Sequence, residues 1–263
     1  MNVAAKKKLR TEMGWSTADR IVVRGLDLPG EILGRLNLGD MAFLELTGRV
    51  PNENESRMFN ALVVTLVEHG VTPSALAARL TYLGAPEAMQ AAVAAGLCGL
   101  GSVFVGSTEG CARMLFKALP DPQANADLAA LATRIVAEHR AREAIVPGLG
   151  HPIHKPIDPR VPRLFEIARE TGFQGKYVEL IQLVQAEAER AAKRSLPLNA
   201  TGAIGALGCE MGLDWKVLRG LGVMARAIGL VGHLLEESRQ PMAQEVWLRT
   251  ESEASAHNKP KEP

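Results

Sequence analysis

Between Val146 and Arg160 the chain reads Val-Pro-Gly-Leu-Gly-His-Pro-Ile-His-Lys-Pro-Ile-Asp-Pro-Arg. Its prolines lack a backbone donor and clash with a preceding helical turn, so this run is a loop and not a helix interior. The loop offers a titratable imidazole at His151 and fixed cations at Lys155 and Arg160. Backbone N–H groups beside Gly148 and Gly150 add to these, where missing side chains let a ligand approach. Such parts suit holding an anionic substrate and moving one proton on it. Arg160 by itself would make a surface ion pair worth under about 1 kcal/mol. Placed at a helix start after His151, its planar fork can instead grip a carboxylate.

Three further groupings could carry chemistry. Arg226 and His233 are seven residues apart, and Glu237 follows four later, so the three share one face of a helix. Ala225, Ala227 and Gly229 surround Arg226 where a solvated face would carry lysines and glutamates. Arg226 is therefore expected to be buried, and a buried arginine needs an anion. Glu68-His69-Gly70 follows an apolar helix running from Phe59 to Val67. The helix dipole alone favours a histidine there, so His69 serves either the helix end or a ligand. Gly99, Gly101 and Gly106 bracket Phe104, which taken alone is a glycine-rich helix junction. Cys98, Cys111 and Cys209 are widely spaced, with no Cys-x-x-Cys pair. They are expected to be buried free thiols, and no metal site is expected.

The elements that must position these residues read as helices. Thr72 and Pro73 are an N-cap and first helical residue, opening a helix through Leu83. Asp158 and Pro159 repeat the device, with Gly172 as the stop. Asp214 opens the longest pattern, whose packed seam is Leu218, Leu221, Ala225, Ile228, Gly232 and Leu235. Gly220, Gly222, Gly229 and Gly232 in that helix point to close approach by a neighbour. Ile21-Val22-Val23 is the one clear strand, and the polar residues after Glu251 read as a frayed tail. The fold class is nearly all α.

The chain has 263 residues, enough for one large domain or two small ones, and 47% hydrophobic content to build a core. Basic and acidic residues number 30 and 29 and aromatics are 4%, giving neither charge nor stacking reason to expect nucleic acid or a membrane surface. Lys6, Lys7 and Lys8 are not followed by the apolar run of a signal peptide. Ala91 to Thr108 falls short of a membrane span. A cytoplasmic location is expected.

Read together, these pieces resemble the citrate synthase superfamily, in order and spacing, from about Thr11 to Trp247. The loop resembles that family's Gly-His-x-x-x-Lys/Arg-x-x-Asp-Pro-Arg run. Leu46-Thr-Gly-Arg-Val-Pro51 is similar to its L-x-G-x-x-P turn, and Glu68-His69-Gly70 to its (D/E)-H-G histidine. Gly101-Ser-Val-Phe-Val-Gly106 resembles the G-D-R-F-G-G segment of the short citryl-CoA lyase module, also found at the C-terminus of ATP-citrate lyase. Ala225-Arg226-Ala-Ile-Gly229 resembles the substrate-arginine helix.

The resemblance implies a mostly α fold with a large domain of residues 1–105 and 213–263 and a small one of 106–212. It implies a homodimer or higher homo-oligomer, and coenzyme A as part of an acyl-CoA substrate. His151 would bind the carbonyl or hydroxyl oxygen of the oxaloacetate portion and exchange its proton. His69, Arg160 and Arg226 would hold carboxylates. Val146, Pro147, Gly148, Leu149 and Gly150 would meet coenzyme A through the backbone, with Lys155 near a phosphate. Phe104 stands where full synthases carry a histidine, which favours a lyase. Thr201 stands where the family has its catalytic aspartate, and a hydroxyl cannot act as a carboxylate base near neutral pH. Three functions stay open, the first two being a citryl-CoA lyase-type enzyme and a relative that binds an acyl-CoA or tricarboxylate with weak catalysis. A synthase-type acyltransferase is the third.

Overall fold

The computed structural model describes residues 8–259, so Lys6 and Lys7 lie outside the described residues. The chain divides into two compact units, residues 1–60 and 61–263. The first opens with an antiparallel sheet of β1 (Gly14–Ser16), β2 (Ile21–Val23) and β3 (Leu26–Asp27), in that order. Trp15 faces Val22 and Val23 faces Leu26 across it. Only β2 was legible, because its three residues are all β-branched, whereas β1 holds Gly14 and Ser16 and β3 is two residues long. A π-helical turn at Leu28–Ile32 leads to α1 (Leu38–Thr47). Asn37 caps α1 by accepting from the Asp40 amide at 2.9 Å. In α2 (Glu53–Val67), Phe59 meets Phe43 edge-on with ring centres 5.4 Å apart.

The second unit holds the end of α2 and then nine helices among the described residues. They are α3 (Pro73–Gly84), α4 (Met89–Cys98), α5 (Gly106–Ala118), α6 (Leu128–Ala141), α7 (Arg160–Thr171), α8 (Lys176–Ala192), α9 (Ala200–Glu210), α10 (Leu218–Arg239) and α11 (Ala243–Ser255). The mostly helical expectation holds. Thr72 caps α3 through the Ala75 amide at 3.4 Å, and Gly172 ends α7 in a left-handed conformation. Asp214 caps a short 3-10 turn at Trp215–Val217, which feeds α10. The expected frayed tail is instead helical: α11 runs to Ser255 and a further turn reaches Asn258. The amides of Met242 and Ala243 donate to Glu237 Oε1 at 2.9 and 2.8 Å, which anchors the start of α11.

α3 packs on α4, and α10 crosses both; α5 and α8 pack on α9, and α6 on α8. Ala75, Ala78, Ala92, Leu230 and Leu234 form a fully buried cluster where α3, α4 and α10 meet. Alanines on two helices let the leucines of the third fill the space, each leucine stabilising the fold by about 1.5–3 kcal/mol.

The expected seam of α10 is corrected in its second half. Leu218, Leu221 and Ala225 are buried as expected, but Ile228 and Leu235 are 46% and 47% exposed. Leu230 and Leu234 are buried instead, beside Arg226, His233 and Glu237. Ionic partners on α3 and at the end of α2 draw that side of the helix inward. Trp215–Arg239 is long and apolar enough to cross a membrane, yet half of its apolar window is buried in this fold and Arg226, His233 and Glu237 are buried with it. The cysteines also divide: Cys111 and Cys209 are buried, whereas Cys98 is exposed.

Candidate active site

Burial of charge on α10 organises one side of the site. Arg79 on α3 is 1% exposed and donates to Glu237 Oε2 at 2.7 Å, to Glu236, and through Nε to His233 Nδ1 at 3.2 Å. Since arginine keeps its protons, His233 Nδ1 accepts and the ring carries its hydrogen on Nε2. That Nε2 lies 3.0 Å from Glu68 Oε2. Glu68 Oε1 in turn accepts from the amides of His69 and Gly70 at 2.9 and 2.5 Å. A chain of charge from the core thus ends on the turn that presents His69. Arg79 was not singled out from the sequence, although it carries the signal used for Arg226, a cation following two alanines.

Gly229 brings that turn close to α10. A Cβ there would lie 2.1 Å from the Val67 carbonyl oxygen and 3.2 Å from Glu68 Oε2. Of the four α10 glycines expected to mark close approach, Gly222 and Gly229 do so, while Gly220 and Gly232 face open space. One turn before Gly229 stands Arg226. It is 8% exposed, and its buried Nε and Nη1 have no hydrogen-bond partner. Burial pushes its pKa down, against the opposing charge of Glu68. The expected buried arginine is present, with its donors unsatisfied.

The loop before α7 supplies the other side. His69 meets two imidazoles from it, because His154 stands beside His151. His69 Nε2 and His154 Nε2 are 3.2 Å apart, so one ring donates to the other. The rings of His151 and His154 have centres 4.3 Å apart, and His69 is 5.7 and 5.4 Å from them. His154 was missed because the family pattern leaves its position open; its presence in the loop was the available signal.

His151 Nδ1 accepts from the amides of Ile153 and His154 at 3.1 and 3.0 Å. The hydrogen of the neutral ring is therefore on Nε2. Burial lowers the His151 pKa, helped by His154, Arg160 and His69 and opposed by Asp158. Burial also lowers that of His69, followed by Arg160, His154 and Arg226. The proton-exchange role read for His151 narrows here: its Nε2–H can donate to an oxygen but offers no lone pair to take a proton. The same tautomer bears on metal binding. Donor atoms of the three rings lie within 4.8 Å of one another, close enough to surround an ion. Ligation by His151 Nε2 would need the hydrogen on Nδ1, where two backbone amides already point, so the rings do not turn three lone pairs toward one centre.

Arg160 forks onto Asp158, through Nε to Oδ1 at 2.9 Å and Nη2 to Oδ2 at 2.7 Å. Asp158 is fully buried and also accepts from the amides of Arg160 and Ala200 at 3.1 and 2.9 Å. Burial pushes its carboxyl up, but these hydrogen bonds outweigh it and hold the pKa at about 2. Asp158 so joins the starts of α7 and α9.

The glycines of the loop do something other than expected. Gly148 is buried, and a Cβ there would lie 2.6 Å from Gly202 Cα. Its missing side chain serves packing on α9. The Gly148 carbonyl accepts from the Asn199 amide at 3.0 Å, the Gly150 amide donates to Pro197 at 2.7 Å, and Leu149 pairs with Leu198. Only Gly150 keeps an open side. Val146 and Pro147 are half-buried and Lys155 is exposed.

Asn199 binds this loop to the position expected to hold a base. Its Nδ2 donates to the Gly150 carbonyl and its Oδ1 accepts from the Thr201 hydroxyl, both at 2.7 Å. Ser107 Oγ shares its one hydrogen between the Phe104 carbonyl at 2.6 Å and Thr201 Oγ1 at 2.8 Å. Thr201 and Phe104 are thereby brought together, with Phe104 46% exposed. Ser107 and Asn199, two polar residues flanking these positions, were not singled out.

The chain is similar to citryl-CoA lyase from Hydrogenobacter thermophilus, with 33% identity and a TM-score of 0.78, covering 88% of this chain and 87% of that one. ATP citrate lyase from Methanothrix soehngenii, solved with citrate and coenzyme A, shares the fold at 24% identity and a TM-score of 0.73, over 90% of this chain and 40% of that one. ATP-citrate synthase beta chain protein 1 of Arabidopsis thaliana is 29% identical over 212 residues, 73% of this chain and 33% of its own length. The chain spans about a third of the length of the curated relatives it matches. The profile described as citrate synthase, C-terminal domain, matches residues 35–247. With that match across most of its length, the chain belongs to the citrate synthase family.

Proposed function

We propose that this chain is a carbon–carbon lyase of the citryl-CoA lyase type, cleaving citryl-CoA or a similar 3-hydroxy-3-carboxyacyl-CoA to oxaloacetate and acetyl-CoA. The observation that carries the reading is Arg226, a buried guanidinium with Nε and Nη1 unpartnered. Such a group calls for an anionic ligand, because an unpaired buried charge is strongly unfavourable. A carboxylate matches its fork. The likeness to citryl-CoA lyase over nearly that chain's whole length supports the substrate class.

In this reading His69, Arg160 and Arg226 hold carboxylates, while His151 donates from Nε2 to the substrate oxygen. The loop from Val146 to Gly150 and Lys155 meet the coenzyme A portion, and Phe104 lies beside the thioester. His151 and Thr201 belong to a small domain of residues 106–212, and His69, Phe104 and Arg226 to a large one of 1–105 and 213–263. A homodimer fits the exposed Ile228, Val231 and Leu235 along α10. A second reading, a tricarboxylate or acyl-CoA binder with feeble catalysis, is favoured by one observation: the Thr201 hydroxyl is held by Asn199 and Ser107. Incubation with citryl-CoA separates the two. Oxaloacetate release is expected from a lyase; binding of citrate and coenzyme A without release would support the binder, and failure to bind either would reject both.

A further inference from the structure

Proton transfer in this site lacks an evident acceptor. The Thr201 hydroxyl gives its hydrogen to Asn199 Oδ1 at 2.7 Å and accepts from Ser107 at 2.8 Å. His151 already carries its hydrogen on Nε2, because Nδ1 accepts two backbone amides. Asp158 is buried under Arg160 and the Ala200 amide, and Glu68 is bound to the amides of its own turn and to His233. One arrangement at the centre of the site differs. His154 and His69 are joined Nε2 to Nε2 at 3.2 Å, and two neutral imidazoles so joined share a single hydrogen. When His154 is the donor, its Nε2 carries the shared hydrogen and its Nδ1 keeps a lone pair where a proton can be added. His154 also stacks beside His151, with ring centres 4.3 Å apart, which puts it next to the donor assigned to the substrate oxygen.

We propose that His154 is the acid–base catalytic residue of this site, working through the hydrogen it shares with His69; the proposal rests on the lyase reading above. As the substrate carbon–carbon bond breaks, the hydroxyl proton passes to His154 Nδ1, while its Nε2–H stays hydrogen-bonded to His69. The hydroxyl carbon becomes the ketone of oxaloacetate, and the bonding pair moves to the acyl fragment as the thioester enolate. His154 then returns that proton to the enolate carbon, forming the acetyl group. One proton is taken and one given back, so the step needs no other reactant. His151 Nε2–H polarises the oxygen throughout, and Arg160 and Arg226 supply positive charge toward the developing ketone acid. The charged and titratable groups bearing on the pair are His151 and Arg160 from its own segment, Arg226 from α10, and Glu68 from the turn of His69.

The test uses the full chain and its His154→Gln and His154→Ala variants. Each is assayed for oxaloacetate release from citryl-CoA and for exchange of acetyl-CoA methyl hydrogens in D2O with oxaloacetate present. His154→Gln is expected to lower kcat about 10²–10⁴-fold with KM changed only a few-fold, as for loss of a general acid–base group. The acid limb of the kcat profile should disappear, and methyl exchange with it. Added imidazole should restore part of the rate to His154→Ala, which a merely structural role would not allow. A His154→Gln kcat within tenfold of the parent, with an unchanged pH profile, would overturn the assignment and leave the lyase reading standing. A parent chain that releases no oxaloacetate would overturn both.

Discussion

Arg226 shows how a single residue can be read for function from its unmet needs. Each charged hydrogen bond it could give a ligand is worth about 1.5–3 kcal/mol, and Nε and Nη1 are both buried without a partner. Replacing it with methionine keeps the packing volume and removes a buried charge whose Nε and Nη1 no hydrogen bond satisfies. Arg226→Met should bind citrate about 10–100-fold more weakly while its melting temperature stays level or rises. Calorimetry and a thermal melt would check both, and citrate affinity equal to the parent would show that Arg226 does not face the ligand. The burial of this arginine was legible because alanine and glycine surround it. Its lack of a partner was not, since that depends on what every neighbouring element leaves unoffered. His154 teaches the same lesson from the other side: an unremarked position in a loop pattern becomes central through where its ring falls.

At the scale of elements, α10 joins the core to the site, and two of its glycines separate those roles. At Gly229 a methyl group would meet the Val67 carbonyl, so the end of α2 and the turn carrying Glu68 and His69 would have to move. At Gly232 nothing lies within 4 Å. Gly229→Ala should therefore cost about 1–3 kcal/mol through overpacking and weaken citrate binding. Gly232→Ala should leave binding alone and stabilise by up to about 1 kcal/mol through helix propensity. Denaturant titration and calorimetry on the pair would decide it; equal behaviour would mean that α10 does not seat the His69 turn. The sequence pattern foresaw that these glycines mattered but treated all four alike. Period and composition give the rotation of a side chain about a helix axis, not which rotation meets a neighbour. The same limit misassigned the lower seam, where buried ions displaced Ile228 and Leu235 outward.

For the whole molecule, burial of ionisable groups sets how stability follows pH. The folded-state pKa values of His69 and His151 lie below the ordinary 6.5, so neutral rings are favoured in the fold. Their contribution is intact above about pH 6.5 and is lost as pH falls through the folded values, where the unfolded chain binds more protons. Asp158 behaves likewise at lower pH: its contribution is present above the ordinary 3.8 and is lost as pH falls toward about 2. Denaturation measured against pH should show a first decline beginning below about 6.5 and a second below about 3.8. The first should shrink in His69→Gln, and a flat profile from 6.5 to 5 would mean the imidazoles are well solvated. Much of the molecule was present in the sequence alone: the helical class, the N-cap of α3, the glycine stop of α7, the proline-rich loop, and the cations set among small residues. These depend on propensities and spacings within a few residues, which the chain carries locally. Tertiary structure alone decided that Gly148 faces α9, that Arg79 reaches His233 across 154 positions, and that His69 meets His154 across 85. Each of these is a matter of a few tenths of an ångström between distant segments, and only the packing of the complete chain sets such distances.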